Sequence, residues 1–449
     1  MAESIFDPLA LAYDTVERAI GAGAAEAEAT VTTVERFSVS ARGPITETLE
    51  QSKGRSLTLR VIAAGGKKAT LVSSDLTSDS LADLVRSAVA AAGFVGSDPF
   101  VGLPETAAPH SSDATIPGMF DPTIRERSNE AKIDDALALE ATARAVDPRI
   151  VNSGGSRVAD SAVTIALANS KGFRGLYHAS QALRDAEPIA QDGTDKRIGH
   201  YGSAARGYAG LEPVDAIARI AARRALDLCG AIKPQTMRCP VIFDRDVAAH
   251  VLSDVFSALS AQNVAIGNSF LIGKVGAKIG SELVNVYDDG TLPAGLGTAP
   301  FDAEGIATRR TEVFRDGVLQ TFLYDTYYGR KLGAQSTGNA SGGGISATNF
   351  YLEPGSQSLE ELIAATKHGV FIVDTIGFAH ESASGTYSRG ARGFLIENGE
   401  RSRPIDEFTI AGNLVEMLAG IDAVANDLRF DGTIVSPSFR VAEMTISGG

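Results

Sequence analysis

The residue best suited to chemistry in this sequence is His250, because it lies on a predicted helix beside another polar group. Apolar residues at helical spacing define that helix, and His250 falls roughly opposite them at ~100° per residue. The apolar stripe consists of Ala248, Val251, Leu252, Val255 and Leu259. Asp254, four residues further on, shares the face of His250. A His/Asp pair of this kind can supply two ligands of a metal ion or part of a hydrolytic site.

The surroundings of this pair argue against a metal site in the chain. Zinc needs a third protein ligand and a catalytic site needs a base, and position 251 is Val where a zincin helix has Glu. We therefore expect a polar helix face with one His–Asp contact. The chain should have no catalytic residue and no bound metal, with His250 as a degenerate ligand position. A self-sufficient hydrolase that uses His250 and Asp254 stays open as an alternative.

The other five histidines give weaker signals. His380-Glu381 begins like a zincin motif, but no second His follows, so a polar loop is the better interpretation. His368 lies near a predicted helix end, where an interaction with the helix dipole accounts for it. The remaining three lie on linker or strand–turn segments without clustered carboxylates: His110, His178 and His200. Gly-x-Ser-x-Gly is absent from the sequence, although a Ser/His/Asp triad assembled from distant segments stays open.

A glycine-rich segment at 336–344 is a candidate for binding rather than catalysis. It lacks the Lys-Ser/Thr of a P-loop and the strand–helix setting of a dinucleotide site. Small residues let another main chain approach closely, so an extended peptide could pair with backbone groups here. The candidate peptide-binding residues are Thr337, Gly338, Asn339, Gly342 and Gly343. Residues 384–393 have the same character, and plain surface turns are an equal alternative for both segments.

Composition limits the partners and the compartment. The 449 residues carry 55 Asp and Glu against 41 Lys and Arg, a formal charge of −14 that repels phosphate backbones. Cys229 and Cys239 are the two cysteines, and we expect reduced thiols rather than a disulfide framework. The N-terminus has no basic segment before an apolar run, and no stretch approaches ~18 apolar residues. We expect a cytoplasmic protein that binds neither nucleic acid nor membranes.

The first half of the chain repeats one plan of helix, strands and helix. Apolar stripes predict helices at 9–20 and 81–92, and alternation predicts strands at 30–39 and 57–61. Prolines 99, 104, 109, 117 and 122 predict a linker. A helix at 133–141, strands near 163–167 and a helix opened by Pro213 then repeat the plan.

The second half is rich in hairpin signals. Asp289-Gly290, Asp316-Gly317 and Asn398-Gly399 are typical of two-residue turns, and helices are predicted at 245–261, 358–368 and 410–419. The sequence thus predicts an α+β protein, with two helix–antiparallel-sheet–helix units followed by a mostly antiparallel β C-terminal domain. The expected divisions are an N-terminal α/β unit at 1–97, a Pro-rich linker at 98–122, a central α/β unit at 123–230 and a β-rich domain at 231–449.

Several motifs of the second half are similar to those of one known family. They occur in the expected order over most of residues 240–449, which makes the similarity specific. The motifs are TAPFDAEG at 298–305, DGVL at 316–319, YGRKLG at 328–333, STGNA at 336–340, YSRGA at 387–391 and IAGNL at 410–414. This pattern resembles the TldD/PmbA metallopeptidase family, and within it the PmbA (TldE) type.

The resemblance implies a three-part chain that works with a partner. In this family TldD carries His-Glu-x-x-x-His and a later Cys as its zinc site, whereas PmbA-type chains pair with TldD and lack that motif. Here Val251 and Val255 stand at the Glu and second His positions, and residues 434–437 read Ile-Val-Ser-Pro where some members have Cys. The resemblance therefore implies a subunit without its own zinc.

The activity implied by the resemblance is proteolysis of unfolded or small peptides. Zinc would be supplied by a TldD-type subunit in a heterodimer, and a homodimer stays open as an alternative for the isolated chain. The C-terminal half would form one wall of the substrate chamber. A different class of function is also open, namely a non-enzymatic protein-binding modulator such as the modulator of DNA gyrase once proposed for this family.

Overall fold

The protein is described by a computed structural model that covers residues 6–105, 116–377 and 380–448, with only the main chain of His380 included. His110, Pro109 and the rest of the predicted linker between 106 and 115 lie outside the described residues. Within the described ranges, no helix combines the length and apolar character needed to cross a membrane.

The first unit has the predicted order of helix, strands and helix. Asp7 caps the first helix by accepting hydrogen bonds from the N–H groups of Leu9 and Ala10. The elements are α1 (Pro8–Gly21), β1 (Glu26–Arg42), β2 (Ile45–Ala63), β3 (Lys67–Ser73) and α2 (Ser78–Phe94). Alternate residues in the first part of β1 and the last part of β2, such as Val31 and Leu59, pack beneath the two helices.

The central unit repeats this order with longer strands. The Ser128 side chain caps its first helix, and Pro213 precedes its last. The elements are α3 (Asn129–Ala145), β4 (Ile150–Asn169), β5 (Arg174–Asp192), β6 (Asp195–Ile198), β7 (Tyr201–Ala205) and α4 (Val214–Asp227). A turn at residues 169–172 joins β4 to β5, and the Asn169 carboxamide oxygen accepts two backbone hydrogen bonds there.

The two units share one sheet, which was not predicted. β1 pairs with β4 in antiparallel register from Glu28↔Asn169 to Ala41↔Ser156. The resulting strand order is β3-β2-β1-β4-β5-β6, with β7 beside β5. The buried odd-numbered residues of β1 belong to the helix-covered cores: Ala27, Ala29, Val31, Phe37, Val39 and Ala41. The even-numbered residues point to the opposite face, which is where the C-terminal part approaches.

The C-terminal part contains a second seven-stranded sheet and a five-stranded sheet around one large apolar core. Its helices are α5 (Arg245–Leu259), α6 (Ala261–Ala265), α7 (Thr326–Leu332), α8 (Leu359–Ala364) and α9 (Leu414–Ala419). Its strands are β8 (Met237–Phe243), β9 (Val286–Asp289), β10 (Arg310–Arg315), β11 (Val318–Leu319), β12 (Ala340–Ser341), β13 (Gly344–Ile345), β14 (Phe350–Leu352), β15 (His368–Ile376), β16 (His380–Glu381), β17 (Thr386–Glu397), β18 (Glu400–Asn413), β19 (Ile421–Val424), β20 (Ile434–Val435) and β21 (Phe439–Ser447). The predicted α+β class with a mostly β C-terminal part is confirmed.

Two of the three predicted hairpin turns are correct. Asp316-Gly317 joins β10 to β11 and Asn398-Gly399 joins β17 to β18, with all four residues at positive φ. The hairpin turn predicted at Asp289-Gly290 was wrong, because β9 is followed by a long loop before β10. There the Asp289 carboxylate accepts hydrogen bonds from Thr291, and a Cβ on Gly290 would lie 2.4 Å from the Thr308 Cβ. This glycine serves close packing rather than a turn.

Three local predictions in the second half also need correction. His368 is the exposed first residue of β15 and not a helix end, since α8 stops at Ala364. Residues 410–413 belong to β18, and Asn413 caps α9. Most of residues 384–393, expected as a loop, form β17 between β15 and β18. In each case strand pairing with distant segments prevailed over the local pattern.

Candidate functional site

A cleft of about 1010 Å³ separates the uncovered face of the N-terminal sheet from the C-terminal part. We call it the sheet cleft. Its floor is formed by polar residues of β1 and β2, and its far wall by the loops 297–308, 325–328 and 338–348. The floor residues are Glu28, Thr30, Thr32, Thr58 and Arg60. Clefts of this size commonly bind ligands.

Strand alternation and register place an ion pair on that floor. Glu28 and Arg60 lie directly opposite each other in the antiparallel pairing of β1 with β2, while their neighbours Ala27, Ala29 and Leu59 face the helices. Arg60 Nη2 lies 3.4 Å from Glu28 Oε1, and Arg60 Nη1 lies 3.6 Å from Glu304 Oε1 on the far wall. One guanidinium therefore joins two carboxylates across the cleft.

Burial strongly perturbs these carboxyl groups. Burial raises the pKa of Glu28 to about 7, although Arg60 lowers it, and the Glu304 carboxylate adds to the rise. Burial also raises the pKa of Asp302 to about 7, again with a contribution from Glu304. Asp302 nonetheless accepts three backbone hydrogen bonds, from Glu304, Ile306 and Ala340. Asp302 thus fixes the fold of the wall, whereas the Glu28 side chain pairs with Arg60 alone among the residues that the structure describes.

The predicted peptide-binding segment contributes to the sheet cleft in two different ways. Thr337 and Asn339 are buried, and the Asn339 amide donates to Asp288 Oδ2 at 2.6 Å and to the Ser346 carbonyl at 3.0 Å. The Thr337 hydroxyl lies 2.6 Å from Asn339 Oδ1. These side chains hold the segment in place. Gly338, Gly342 and Gly343 line the cleft.

The glycines of this segment are not equivalent. Gly338 has φ 81°, and a Cβ there would lie 2.9 Å from the Ala307 carbonyl oxygen, so its role is in the local fold. Gly342 and Gly343 form the tip between β12 and β13, and a Cβ on either would meet nothing within 4 Å. Their main chain is therefore accessible to a ligand in the sheet cleft. That any of these residues binds a peptide stays a prediction.

His250 lies in a different cavity, also of about 1010 Å³, between α4 and β7 of the central unit and α5 of the C-terminal part. We call it the helix cleft. The Asp244 side chain caps the N-terminus of α5. On this helix His250 is exposed, whereas Val251 and Val255 pack in the C-terminal core. His200 lines the same cleft, whereas His178 lies on β5 with its Nδ1 2.8 Å from the Thr164 hydroxyl.

Asp254, the predicted companion of His250, is buried and bound to a cation. Its carboxylate oxygens lie 2.8 and 3.0 Å from Arg389 Nη2 of β17. This ion pair joins α5 to the second large sheet. The carboxylate therefore already serves a structural contact that the sequence did not indicate.

The described residues do not fit a zinc site. Over the three described ranges, no group of three or more His, Cys, Asp and Glu side chains is arranged to hold a metal ion. Cys229 and Cys239 are both free thiols, and burial raises the pKa of Cys239 to about 11. A thiol with so high a pKa is a poor nucleophile at neutral pH.

No motif or spacing in the sequence indicated that Glu28, Arg60, Asp302 and Glu304 would line one cleft. A signal for the strand itself was present, because apolar Leu57, Leu59 and Val61 alternate with Thr58 and Arg60. That alternation correctly predicts a strand with one buried face, and the polar face is then assigned to solvent. The polar face is instead covered by residues 297–308, which follow more than 200 positions later.

Comparison with known proteins agrees with this architecture. Models of the PmbA/TldA metallopeptidase domain 1, central domain and C-terminal domain match residues 27–92, 122–228 and 236–448. Metalloprotease PmbA of Escherichia coli is 31% identical over 423 residues, covering 94% of this chain and 92% of that protein. A metalloprotease PmbA homolog of Haemophilus influenzae is 31% identical over 440 residues, covering 96% of this chain and 94% of that protein.

Solved structures share the whole fold. A putative modulator of DNA gyrase from Bacteroides thetaiotaomicron has a TM-score of 0.91 and 25% identity, covering 98% of each chain. TldE from Thermococcus kodakarensis has a TM-score of 0.89 and 22% identity, covering 98% of this chain and all of that one. The chain therefore belongs to the TldD/PmbA metallopeptidase family, and the relatives named here agree with its PmbA (TldE) type.

Proposed function

We propose that this chain is the non-catalytic PmbA (TldE) type subunit of a zinc peptidase complex in the cytoplasm. A TldD-type partner would supply the zinc and the catalytic residues. One observation carries the proposal: α5 directs Val251 and Val255, at the Glu and second His positions of the family motif, into the apolar core with 3% and 1% of their surface exposed. Of the three motif positions 250, 251 and 255, only His250 is exposed to the helix cleft, and one ligand from the motif is too few for zinc.

The sheet cleft supports a role in substrate handling. It is large, and it combines an accessible glycine tip with polar strand residues and the aromatic rings of Tyr177, Tyr327 and Tyr328. Exposed main chain can pair with an extended peptide without reading its side chains, which suits proteolysis of unfolded or small peptides. We infer that this cleft forms one wall of the substrate chamber of the complex.

Two rival functions are separated by the same experiment. A self-sufficient hydrolase would need Asp254 to orient His250, but its carboxylate is bound to Arg389. A non-enzymatic modulator of DNA gyrase is suggested by the description of the Bacteroides thetaiotaomicron protein. The formal charge of −14 favours protein contact over DNA contact in either case.

The decisive test is coexpression with a TldD-type subunit from the same organism, followed by sizing and peptide cleavage. We expect a heterodimer that cleaves unstructured peptides and loses this activity on chelation of its metal. The isolated chain should leave the peptides intact and should contain no stoichiometric zinc by elemental analysis. Chelator-resistant cleavage by the chain alone would favour the hydrolase, and the absence of any complex would overturn the proposal.

A substitution in the glycine tip tests the chamber wall. Gly343→Val places a branched side chain in the sheet cleft without an internal clash, because its Cβ would meet nothing within 4 Å. We expect cleavage by the complex to slow about tenfold, since main-chain pairing with an extended substrate is obstructed. Gly54→Val on β2 is the matched control, because it is also exposed and unobstructed but lies outside the cleft. Equal rates for both variants would remove the tip from the chamber.

A further inference from the structure

The sheet cleft is lined by more negative than positive side chains. Five carboxylate residues and two cationic residues line the cleft: Glu28, Asp98, Asp302, Glu304 and Asp325, with Arg60 and Lys68. Arg60 lies between Glu28 and Glu304 at 3.4 and 3.6 Å, longer than the 2.7–2.9 Å typical of a charge-assisted hydrogen bond. One loosely bound guanidinium therefore leaves the sheet cleft as a whole short of positive charge.

The Glu28 carboxylate has a buried oxygen without a hydrogen-bond partner in the described part of the chain. Only 3% of Glu28 is exposed, yet it lines the cleft, and its Oε2 has no hydrogen-bond partner among the described residues. Buried carboxylate oxygens are normally satisfied, because an unpaired one carries a desolvation cost. The orphan oxygen thus identifies a position where a hydrogen-bond donor from outside the chain would be stabilised.

The chemical class of a hydrogen-bond donor that would suit Glu28 Oε2 follows from the charges around it. Across the described ranges no cluster of side chains is arranged to hold a metal ion, so a coordinated divalent cation does not fit. A neutral donor would satisfy the oxygen but would leave the excess charge. An organic cation with several N–H groups, an ammonium or a guanidinium, does both. The ring of Tyr177 lines the same cleft, and aromatic faces also attract such cations.

We propose that Glu28 and Glu304, on either side of Arg60, bind the positively charged group of a peptide, either its N-terminal ammonium or a Lys or Arg side chain. This inference rests on the proposed peptide-binding role of the sheet cleft and gives that role a substrate class. Peptides lie along the glycine tip, and their cationic group reaches the floor. Arg60 is then an internal competitor, which holds the two carboxylates in place until the ligand cation arrives.

The bound cation also changes the ionisation of the site. Burial raises the pKa of Glu28 and Asp302 to about 7, so both carboxyl groups are partly protonated at neutral pH. A ligand cation favours their ionised forms, and binding therefore releases protons and tightens as pH rises from 6 to 8. The other charged groups near them are Arg60 on β2, Lys68 on β3, and Glu304, Arg309 and Asp325 on the far wall.

The test is calorimetric titration of the full-length chain with three flexible eight-residue peptides of Gly, Ser and Ala. One peptide carries a central Lys and an acetylated N-terminus, the second has a free N-terminus and no Lys, and the third is capped and neutral. We expect at least one charged peptide to bind about tenfold more tightly than the neutral one. The preferred peptide identifies the source of the cation. Equal affinity for all three, or binding of none, would overturn the proposal.

Two variants with opposite expected signs exclude a purely structural explanation. Glu28→Gln should weaken binding of the charged peptide about tenfold, whereas Arg60→Gln should tighten it because the internal competitor is removed. Glu35→Gln removes a carboxylate from the exposed part of the same strand and should change nothing. Should Glu28→Gln fail to fold, Glu304→Gln takes its place. Unchanged binding in the folded carboxylate variant, or weaker binding in both the carboxylate and Arg60 variants, would contradict the assignment.

The outcome can be separated from that of the proposed function. Selective binding of charged peptides by a chain that forms no active complex would leave the cation site standing and remove the peptidase role. Cleavage by a complex that treats neutral and charged peptides alike would do the reverse. The pH series adds a third reading, since Glu28→Gln should reduce the tightening between pH 6 and 8 without abolishing it, because Asp302 still titrates.

Discussion

The sheet cleft and the helix cleft have the same volume, but they differ in the balance of positive and negative side chains that line them. The helix cleft is lined by six carboxylate residues and six arginines, whereas the sheet cleft has five carboxylate residues and two cations. In the helix cleft Arg429 binds Glu212, Asp431, the Tyr201 hydroxyl and the Gly202 carbonyl at once. The charged groups of the helix cleft pair with one another and thereby join the central unit to the C-terminal part.

The pKa values of single groups express the same contrast. In the helix cleft burial acts to raise the pKa of Asp246, but Arg224 at 2.7 Å, together with Arg245 and Arg429, outweighs burial and lowers it. In the sheet cleft burial raises the pKa of Glu28 to about 7 in spite of Arg60. Cavity size alone therefore does not mark a binding site. The ratio of guanidinium to carboxylate decides whether charge is left for a ligand.

The largest expected effect comes from removing the central cation of the helix cleft. Arg429→Ala leaves Glu212 and Asp431 without this partner in a half-buried setting, and it also deletes two further hydrogen bonds. We expect the free energy of unfolding in urea to fall by about 3–4 kcal/mol. Arg238→Ala breaks an exposed pair with Glu443 and should cost about 0–1 kcal/mol. A similar small loss for both variants would mean that the helix cleft is not a structural joint.

A smaller effect, with opposite sign in the two clefts, is expected from neutralising one carboxylate in each. Because the folded pKa of Glu28 is raised, its contribution to stability is fully present below about 4.5 and is lost as pH rises through about 7. Glu28→Gln should therefore stabilise the fold at pH 8 by up to about 3 kcal/mol, a figure that already includes the lost attraction to Arg60 because that attraction lowers the pKa. The gain should vanish at pH 4.

The matched change in the helix cleft is Asp246→Asn. Because folding lowers the pKa of Asp246, its ionised carboxylate stabilises the fold at pH values above the ordinary pKa of Asp. That stabilisation is lost as pH falls through the lowered pKa of the folded state. The side chain is 42% exposed, so solvent screening limits the loss at pH 8 to about 1 kcal/mol. Urea unfolding of both variants at pH 4 and 8 measures the two signs. Destabilisation by both variants at pH 8 would break the comparison.

The sequence predicted local structure well and the site poorly, for one physical reason. Periodicity is a property of neighbouring residues, so α1, α2 and α5 and the inner faces of β1 and β2 follow directly from it. The pairing of β1 with β4 joins residues more than 100 positions apart, and no local pattern specifies it. Glu28 and Arg60 acquire their environment only when residues 297–308 cover them, so the alternation around Arg60 alone indicates a solvated residue there.

The glycine-rich segment shows how composition can find a location without assigning roles. Thr337 and Asn339 were predicted to contact a ligand together with the glycines, but their side chains are engaged by Tyr324, Asp288 and Ser346. These hydrogen bonds depend on partners from three other segments, which the sequence could not bring together. Gly342 and Gly343 kept their accessibility because the β12–β13 hairpin presents them at its tip.

The smallest effect is expected at His250, the predicted degenerate ligand position. Its side chain is exposed on α5, and its companion Asp254 is bound to Arg389, so His250→Ala removes no contact of the apolar core. Ala has a higher helix propensity than His, and the free energy of unfolding should change by less than about 0.5 kcal/mol. Peptide cleavage by the complex should also be unchanged, because the helix cleft is assigned to structure and the sheet cleft to substrate. Urea unfolding and cleavage rates with the partner subunit measure both. If His250→Ala abolished cleavage without changing stability, the helix cleft would be the one that handles substrate. The roles proposed for the two clefts would then be reversed.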